Sequence, residues 1–279
     1  AAYGGRALLF ETWATKPSLF ELVVLLFDRS EFLAETAIRT PDLVDELELS
    51  GYLRQCKSAE QILKDLRHGQ DDADQKLWLR RYHQTELMRI GLRDILGLAD
   101  FEQNLVELSA LADACLQYAL EVALRKHRLR GSSLAIVGLG KLGGAELNYG
   151  SDLDVVFVAD ERAEDLPGLQ RVAIDVIDLL GSPTELGVAF EVDARLRPDG
   201  EKGLLVNTLE AYGEYYRQRA RLWEIQAISR SRLVAGSREV GARYCQTVAA
   251  LADFSHPDTA AAAARGPDWR QEIAKMRLR

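Results

Sequence analysis

Two aspartates one residue apart, Asp152 and Asp154, stand at the head of a β-branched apolar run, Val155, Val156 and Val158. Residues i and i+2 of a strand point to the same face, so the two carboxylates lie side by side. Charges about 4 Å apart repel by about 4 kcal/mol at an effective dielectric of roughly 20. A cation between them relieves that repulsion, and Mg²⁺ is the natural partner for hard oxygen ligands. Just upstream, the strand-like Leu134 to Val137 runs into a glycine-dense turn, Gly138, Gly140, Gly143 and Gly144. Such turns let backbone N–H groups approach an anion closely, and a helix start adds partial positive charge. Either feature alone is an ordinary turn or a solvated strand end. Paired on two strands joined by one short segment, they point to metal-dependent phosphate chemistry.

A third acidic element follows. Residues Val188 to Arg197 alternate apolar and charged, as a strand does, which places Glu191, Asp193, Arg195 and Arg197 on one face. The expectation is that Asp193 adds a third metal carboxylate and the arginines meet phosphates. An exposed strand with cross-strand ion pairs is the competing reading.

The elements that must position these residues are mostly helical. Ser18 with Glu21 has the spacing of a capping box leading into Leu22, Leu25 and Leu26, and Thr40-Pro41-Asp42 reads as another helix start before Leu43, Val44 and Leu47. Apolar periodicity predicts further helices over Ser58 to Arg67, Asp74 to Leu96 and 101–126. Gly69 to Asp72 reads as an exposed loop, His83 as a surface hydrogen-bonder, and Asp71, Asp72 and Asp74 as solvated because no calcium-loop glutamate accompanies them. A helix is predicted from Pro167 to Leu180, and a short closing strand over Gly203 to Val206. Helices resume near Thr208 with Tyr212, Tyr215, Tyr216 and Trp223. There the arginines around Glu224 either contact phosphates or snorkel over a core. Ala260 to Ala264 reads as a linker. The fold class is therefore α+β and mostly helical: residues 1–126 helical, 127–212 a small mixed-sheet catalytic core, and 213–279 a C-terminal helical segment.

At 279 residues the chain can bury a sizeable core. Its net charge of −8 argues against generic nucleic-acid binding, which needs basic stripes. No apolar run is long enough to span a membrane, and the first residues lack a signal-peptide pattern. Cys56, Cys115 and Cys245 are odd in number and widely spaced, so they read as buried thiols of a reducing compartment, with the cytoplasm as the expected location. The chain has no initiating Met and ends on a basic run, which leads to the expectation that it is cut from a longer protein.

The ordered motifs Gly138-Leu139-Gly140-Lys141-Leu142-Gly143-Gly144-Ala145-Glu146-Leu147, Ser151-Asp152-Leu153-Asp154, Val192-Asp193-Ala194-Arg195-Leu196-Arg197-Pro198 and Trp223-Glu224 resemble the glutamine synthetase adenylyltransferase family. That family belongs to the polymerase-β-like nucleotidyltransferase superfamily. The motifs cover about residues 134 to 235, and Leu43-Val44-Asp45-Glu46-Leu47 is similar to another recurring family segment. Members carry two such halves, one attaching AMP from ATP to glutamine synthetase and one removing it by phosphorolysis. One cassette here resembles one half. Ala194 and Ile225-Gln226 are more similar to the transferring half, whereas Gly150 departs from the serine the family more often has.

The resemblance implies attack by a tyrosine hydroxyl of glutamine synthetase on the α-phosphorus of ATP. Asp152, Asp154 and Asp193 would bind two Mg²⁺ ions. Gly143, Gly144 and Ser151 would hold the triphosphate, and Lys141, Arg195 and Arg197 would neutralise charge. A PII-type nitrogen-signalling protein is the implied regulatory partner, with no nucleic acid and no membrane. The adenylyl-removing half and a regulatory module with a dormant site are the alternatives. A nucleic-acid nucleotidyltransferase fits the site but not the acidic charge.

Overall fold

A computed structural model of the chain describes residues 14–40, 43, 44, 47, 51–129, 133–256, 259–266 and 268–277. The expected helix start at Thr40-Pro41-Asp42 lies mostly outside them, although Leu43, Val44 and Leu47 are buried. In chain order the described helices begin with α1 (Pro17–Arg29), α2 (Glu31–Arg39), α3 (Ala59–Leu66), α4 (Gln75–Ile95) and α5 (Phe101–His127). Next come β1 (Leu134–Gly138), the single helical turn α6 (Gly140–Gly143), β2 (Leu153–Ala159), α7 (Leu166–Gly181), β3 (Val192–Asp193) and β4 (Val206–Thr208). The chain continues with α8 (Leu209–Gln218), α9 (Leu222–Ile228), β5 (Arg232–Gly236), α10 (Arg238–Ala252), α11 (Ala260–Arg265) and α12 (Trp269–Arg277). The α+β, mostly helical class is as expected.

Several local readings change. α1 starts at Pro17 with Lys16 as its N-cap, so Ser18 is already inside the helix and cannot cap it. The capping box belongs instead to Ser58, whose hydroxyl accepts from the Gln61 N–H while Gln61 reaches back. Asp74 caps α4, accepting from the Leu77 N–H at 2.9 Å, and is therefore not simply solvated. Gly69 is buried against Trp78 rather than exposed. Residues 260–264 are helix, not linker, because the Thr259 hydroxyl accepts from the Ala262 N–H and alanine has the highest helix propensity. Cys56 is exposed, so it is not a buried thiol.

The sheet has the order β3-β2-β1-β5, with β4 also pairing to β2. β1 runs antiparallel to β2 and β5, whereas β3 and β4 run parallel to β2. Helices cover both faces. Leu134, Ile136, Val155 and Phe157 pack with α5 and α7, and Ala135, Val137, Val156 and Val158 pack with α8, α9 and α10. This explains the near-continuous apolar runs of β1 and β2, since strands buried on both faces lose alternation. Tyr212, Tyr216 and Tyr244 fill the second core, with the Tyr216 and Tyr244 hydroxyls 2.8 Å apart. The tyrosine-bearing α8 is thus a core helix.

α5 is the shared wall between the two halves, packing on α3 and α4 on one side and on α7 and β5 on the other. α1 and α2 form a smaller apolar cluster against α4 through Leu19, Leu26, Leu33, Met88 and Leu92. The expected boundary at 126/127 falls in the last turn of α5, and residue 212 lies within α8.

Candidate functional site

The sheet brings the three aspartates together. Asp154 is the second residue of β2, on the face shared with Val156 and Val158. β3 pairs with β2 in parallel, Leu153 opposite Val192 and Asp154 opposite Asp193, so these two carboxylates stand side by side on one face. Strand β3 is only two residues long, much shorter than the predicted alternation over 188–197. Its lead-in is held instead from outside the sheet. The fully buried Arg80 of α4 donates to the carbonyls of Leu179 (2.9 Å), Ser182 (2.8 Å) and Gly187 (3.1 Å). The scaffold helix therefore sets where Asp193 emerges.

The glycine turn lies against the same acids. Gly140 has φ +54°, and a Cβ there would stand 3.2 Å from Asp154 Oδ2. The Leu139 N–H donates to the Asp154 carbonyl at 2.8 Å. Gly143 is required by packing alone, because a Cβ would meet the Arg230 carbonyl oxygen at 1.8 Å. Gly144 faces only the flexible Glu146 side chain. Gly150 adopts φ +67°, which favours glycine over the serine more usual in the motif.

The electrostatics follow from this crowding. Burial first, then the charges of Asp193 and Asp152, push the Asp154 carboxyl above its ordinary value, and Arg195 and Lys141 offset only part of that. Asp193 is lowered, chiefly by hydrogen bonds from Arg195. The Arg195 backbone N–H donates to Oδ1 at 2.8 Å and its Nε to Oδ2 at 2.9 Å, while most of the guanidinium stays exposed. Arg197 turns its guanidinium inward onto the carbonyls of Ala194 (2.6 Å), Glu201 (3.3 Å) and Gly203 (3.4 Å), pinning the 198–203 turn. A hollow of about 380 Å³ is lined by Asp152, Glu191, Asp193, Arg195 and Arg197. Lys141 is exposed beside it, and Ser151 lines a neighbouring hollow together with Asp152.

Among the described residues no three acidic, imidazole or thiol side chains stand as a ready-made metal-binding set. Asp193 is held by Arg195, and the negative charges of Asp193 and Asp152 add to burial in raising Asp154, which leaves an open edge of hard oxygens. That donor chemistry suits a divalent cation completed by phosphate oxygens.

Sequence reasoning missed two residues beside the acids. Glu191 lines both hollows, and its alternation with Asp193 was the available signal. His83, read as a surface group, is 4% exposed and lies edge-on to Phe190 with ring centroids 4.6 Å apart. Its Arg and Gln neighbours gave a polar impression, but they too turn inward, Arg80 as described and Gln84 onto the Leu186 carbonyl. Glu224 is likewise buried, accepting from Tyr215 Oη at 2.7 Å and the Arg221 N–H at 2.8 Å.

Fold and site together define a small carboxylate-bearing mixed sheet clasped between two helical layers, with a glycine turn at its acidic edge. Residues 20–247 match the family described as glutamate-ammonia ligase adenylyltransferase, and the chain belongs to that family. Similar relatives are named bifunctional glutamine synthetase adenylyltransferase/adenylyl-removing enzyme. The one from Aromatoleum aromaticum is 36% identical over 237 residues, 82% of this chain and 25% of the relative. The one from Ralstonia nicotianae is 35% identical over 276 residues, 94% of this chain and 28% of the relative. A Mycobacterium leprae relative is 41% identical over 174 residues, 59% of this chain and 17% of the relative. The chain thus spans about a quarter of the length of its first relatives. No helix among the described residues is long and apolar enough to cross a membrane.

Proposed function

We propose that this chain is an adenylyl-transferring half, moving AMP from ATP to a tyrosine hydroxyl of glutamine synthetase. The observation that carries the reading is the register pairing of Asp154 with Asp193, with Asp152 close enough to raise Asp154, all beside the Gly140 turn. Family membership and the relatives' names supply the acceptor protein. Asp152, Asp154 and Asp193 would hold Mg²⁺, two ions in all. When bound, the cation would supply charge neutralisation for the α-phosphate oxygens.

The chain's own groups do the rest. Arg195 and Lys141, both exposed at the acidic edge, are positioned to meet phosphate charge. The Gly144 and Ser151 N–H groups are already given to the carbonyls of Gly140 (3.0 Å) and Asn148 (3.2 Å), so those amides are not free to hold the triphosphate. Arg197 contributes by fixing the loop that carries Asp193 and Arg195. Gly143 gives the turn its close backbone contact. The acceptor oxygen forms a bond to the α-phosphorus, the bond from that phosphorus to the bridging oxygen breaks, and pyrophosphate leaves. The hydroxyl proton passes to solvent.

Incubation with both forms of glutamine synthetase tests the direction. Labelled AMP appearing on the unmodified form with ATP is the expected result. Release of ADP from the modified form with phosphate, and no transfer, would assign the removing half. The Arg195 clasp on Asp193 supports a second reading, a dormant regulatory site. Calorimetry showing no Mg-ATP binding would establish it. A PII-type regulator and a cytoplasmic setting remain part of the proposal through the family resemblance.

A further inference from the structure

Two hollows meet on the side of Asp152 away from Arg195. The inner one, about 410 Å³, is walled by Leu87, Leu108, Leu147 and Phe190 and ends on Asp152 and Glu191. The outer one, about 420 Å³, shares Phe32, Tyr149 and Gly150 with it and continues along the α1–α2 corner past Arg29 and Ser30. Phe32 is 55% exposed and Tyr149 is 39% exposed, large apolar surface for a rim. The loop between them is anchored from behind, the Leu147 N–H donating to Ser109 Oγ at 3.1 Å.

The inner hollow contains no lysine or arginine, so it offers no cationic side chain to hold a phosphate along its length. Its wall holds His83, whose two ring nitrogens are buried and have no partner among the described residues. Burial and the Arg80 charge push that imidazole down to about 3, so it is neutral and offers one donor and one acceptor. Buried polar atoms are nearly always paired, so an orphaned imidazole on a cavity wall points to a group that arrives from outside.

We propose that these two hollows are the acceptor path: an extended protein segment lies along the outer hollow, its hydroxyl-bearing aromatic side chain enters the inner one, and His83 pairs with the incoming segment. The two volumes together exceed what a nucleobase fills, the walls suit an aromatic ring, and Arg195, the exposed cation beside the acids, lines the other hollow that Asp152 borders. His83 is a positioning residue here. The inference rests on the nucleotidyl-transfer reading of the acids.

The test varies unmodified glutamine synthetase and ATP separately in the wild-type chain, His83→Leu, His83→Gln and Phe32→Ser. The expected result is a rise of about tenfold in KM for the protein acceptor in His83→Leu and Phe32→Ser, the worth of one lost hydrogen bond or apolar contact, with KM for Mg-ATP unchanged. His83→Gln recovers part of the loss, and His83→Leu melts no lower than wild type because it removes unpaired polar atoms. A rise in KM for Mg-ATP instead would assign the hollow to the base and overturn the path. Unchanged constants with a raised melting temperature would make His83 a mere orphan and overturn it too. Phe32→Ser, on the rim, carries the test if His83→Leu does not fold. If the wild-type chain transfers no AMP, the nucleotidyl reading fails separately. The path is then judged by direct acceptor binding, which should weaken in both variants and overturns the proposal if it does not.

Discussion

The molecule holds two clusters of charge, and they are built in opposite ways. In the helical half, Glu86, Arg89, Arg93 and Glu107 are buried and fully cross-linked. Arg89 bridges Glu86 and Glu107 at 2.8 Å each, Arg93 reaches Glu107 at 3.0 Å, and Lys57 closes on Glu86 at 2.7 Å. Leftover donors go to the carbonyls of Gln55 and Leu53. At the edge of the sheet, Asp152, Asp154 and Asp193 are crowded without equal compensation, and Asp154 bears the strain. The first cluster is balanced by its own chain, which is what a structural network needs. The second keeps acidic charge that its own chain does not balance, the imbalance on which the proposed metal and nucleotide site rests.

Five variants break or sharpen that contrast. The largest effect is expected from Asp152→Asn with Asp154→Asn: AMP transfer should fall by about a thousandfold or more, with the fold retained, as several kcal/mol of charge stabilisation converts at 1.36 kcal/mol per decade. Retained turnover in a single-turnover assay would show that the chemistry lies elsewhere. Next, Arg89→Met should destabilise the chain by about 1.5–3 kcal/mol by removing charge-assisted bonds to Glu86 and Glu107, which keep only Lys57 and Arg93 respectively, measured by urea unfolding, while the KM for Mg-ATP stays put below the transition. Gly143→Ala should cost about 1–3 kcal/mol through its clash with the Arg230 carbonyl, whether or not nucleotide is present. A loss seen only in nucleotide affinity would mean that the turn is shaped for phosphate rather than for packing.

The smallest effect concerns pH. Asp154 binds its proton more tightly folded than unfolded, so its anion costs stability above its raised folded value, and that cost disappears below the unfolded value near 3.8. In chelator-containing buffer Asp154→Asn should raise the melting temperature slightly at pH 7, and the gain should fade on acidification. Asp193 has the opposite sign. Its lowered carboxyl stabilises the fold above the unfolded value and loses this as pH falls through its folded one, so Asp193→Asn should lower the melting temperature at pH 7. Differential scanning fluorimetry across pH separates the two slopes.

The site was legible wherever neighbouring residues decided it. Strand period paired Asp152 with Asp154, and although Asp152 lies one residue before β2 its charge still reaches Asp154; Gly140 shows itself by the turn it must make. The 188–197 strand was over-read because its backbone bonds elsewhere than in a ladder: the Ala189 and Phe190 N–H groups donate to the Leu180 carbonyl, and the Ala194 carbonyl accepts from the Arg197 side chain. His83 was misjudged because polar neighbours suggest a surface, yet burial is set by what another element brings against it.

By itself the sequence determined the helical plan, the two apolar strands, the acid pair and the family likeness, all properties of local period and spacing. Only the tertiary structure decided that Asp193 stands in register with Asp154, that Arg195 holds it, and that a neutral His83 borders a hollow beside Asp152. The first and third join segments tens of residues apart, and the Arg195 clasp, though only two residues from Asp193, depends on the turn the chain makes there. No local pattern encodes them, because they are fixed by packing across the α5 wall and the sheet it supports.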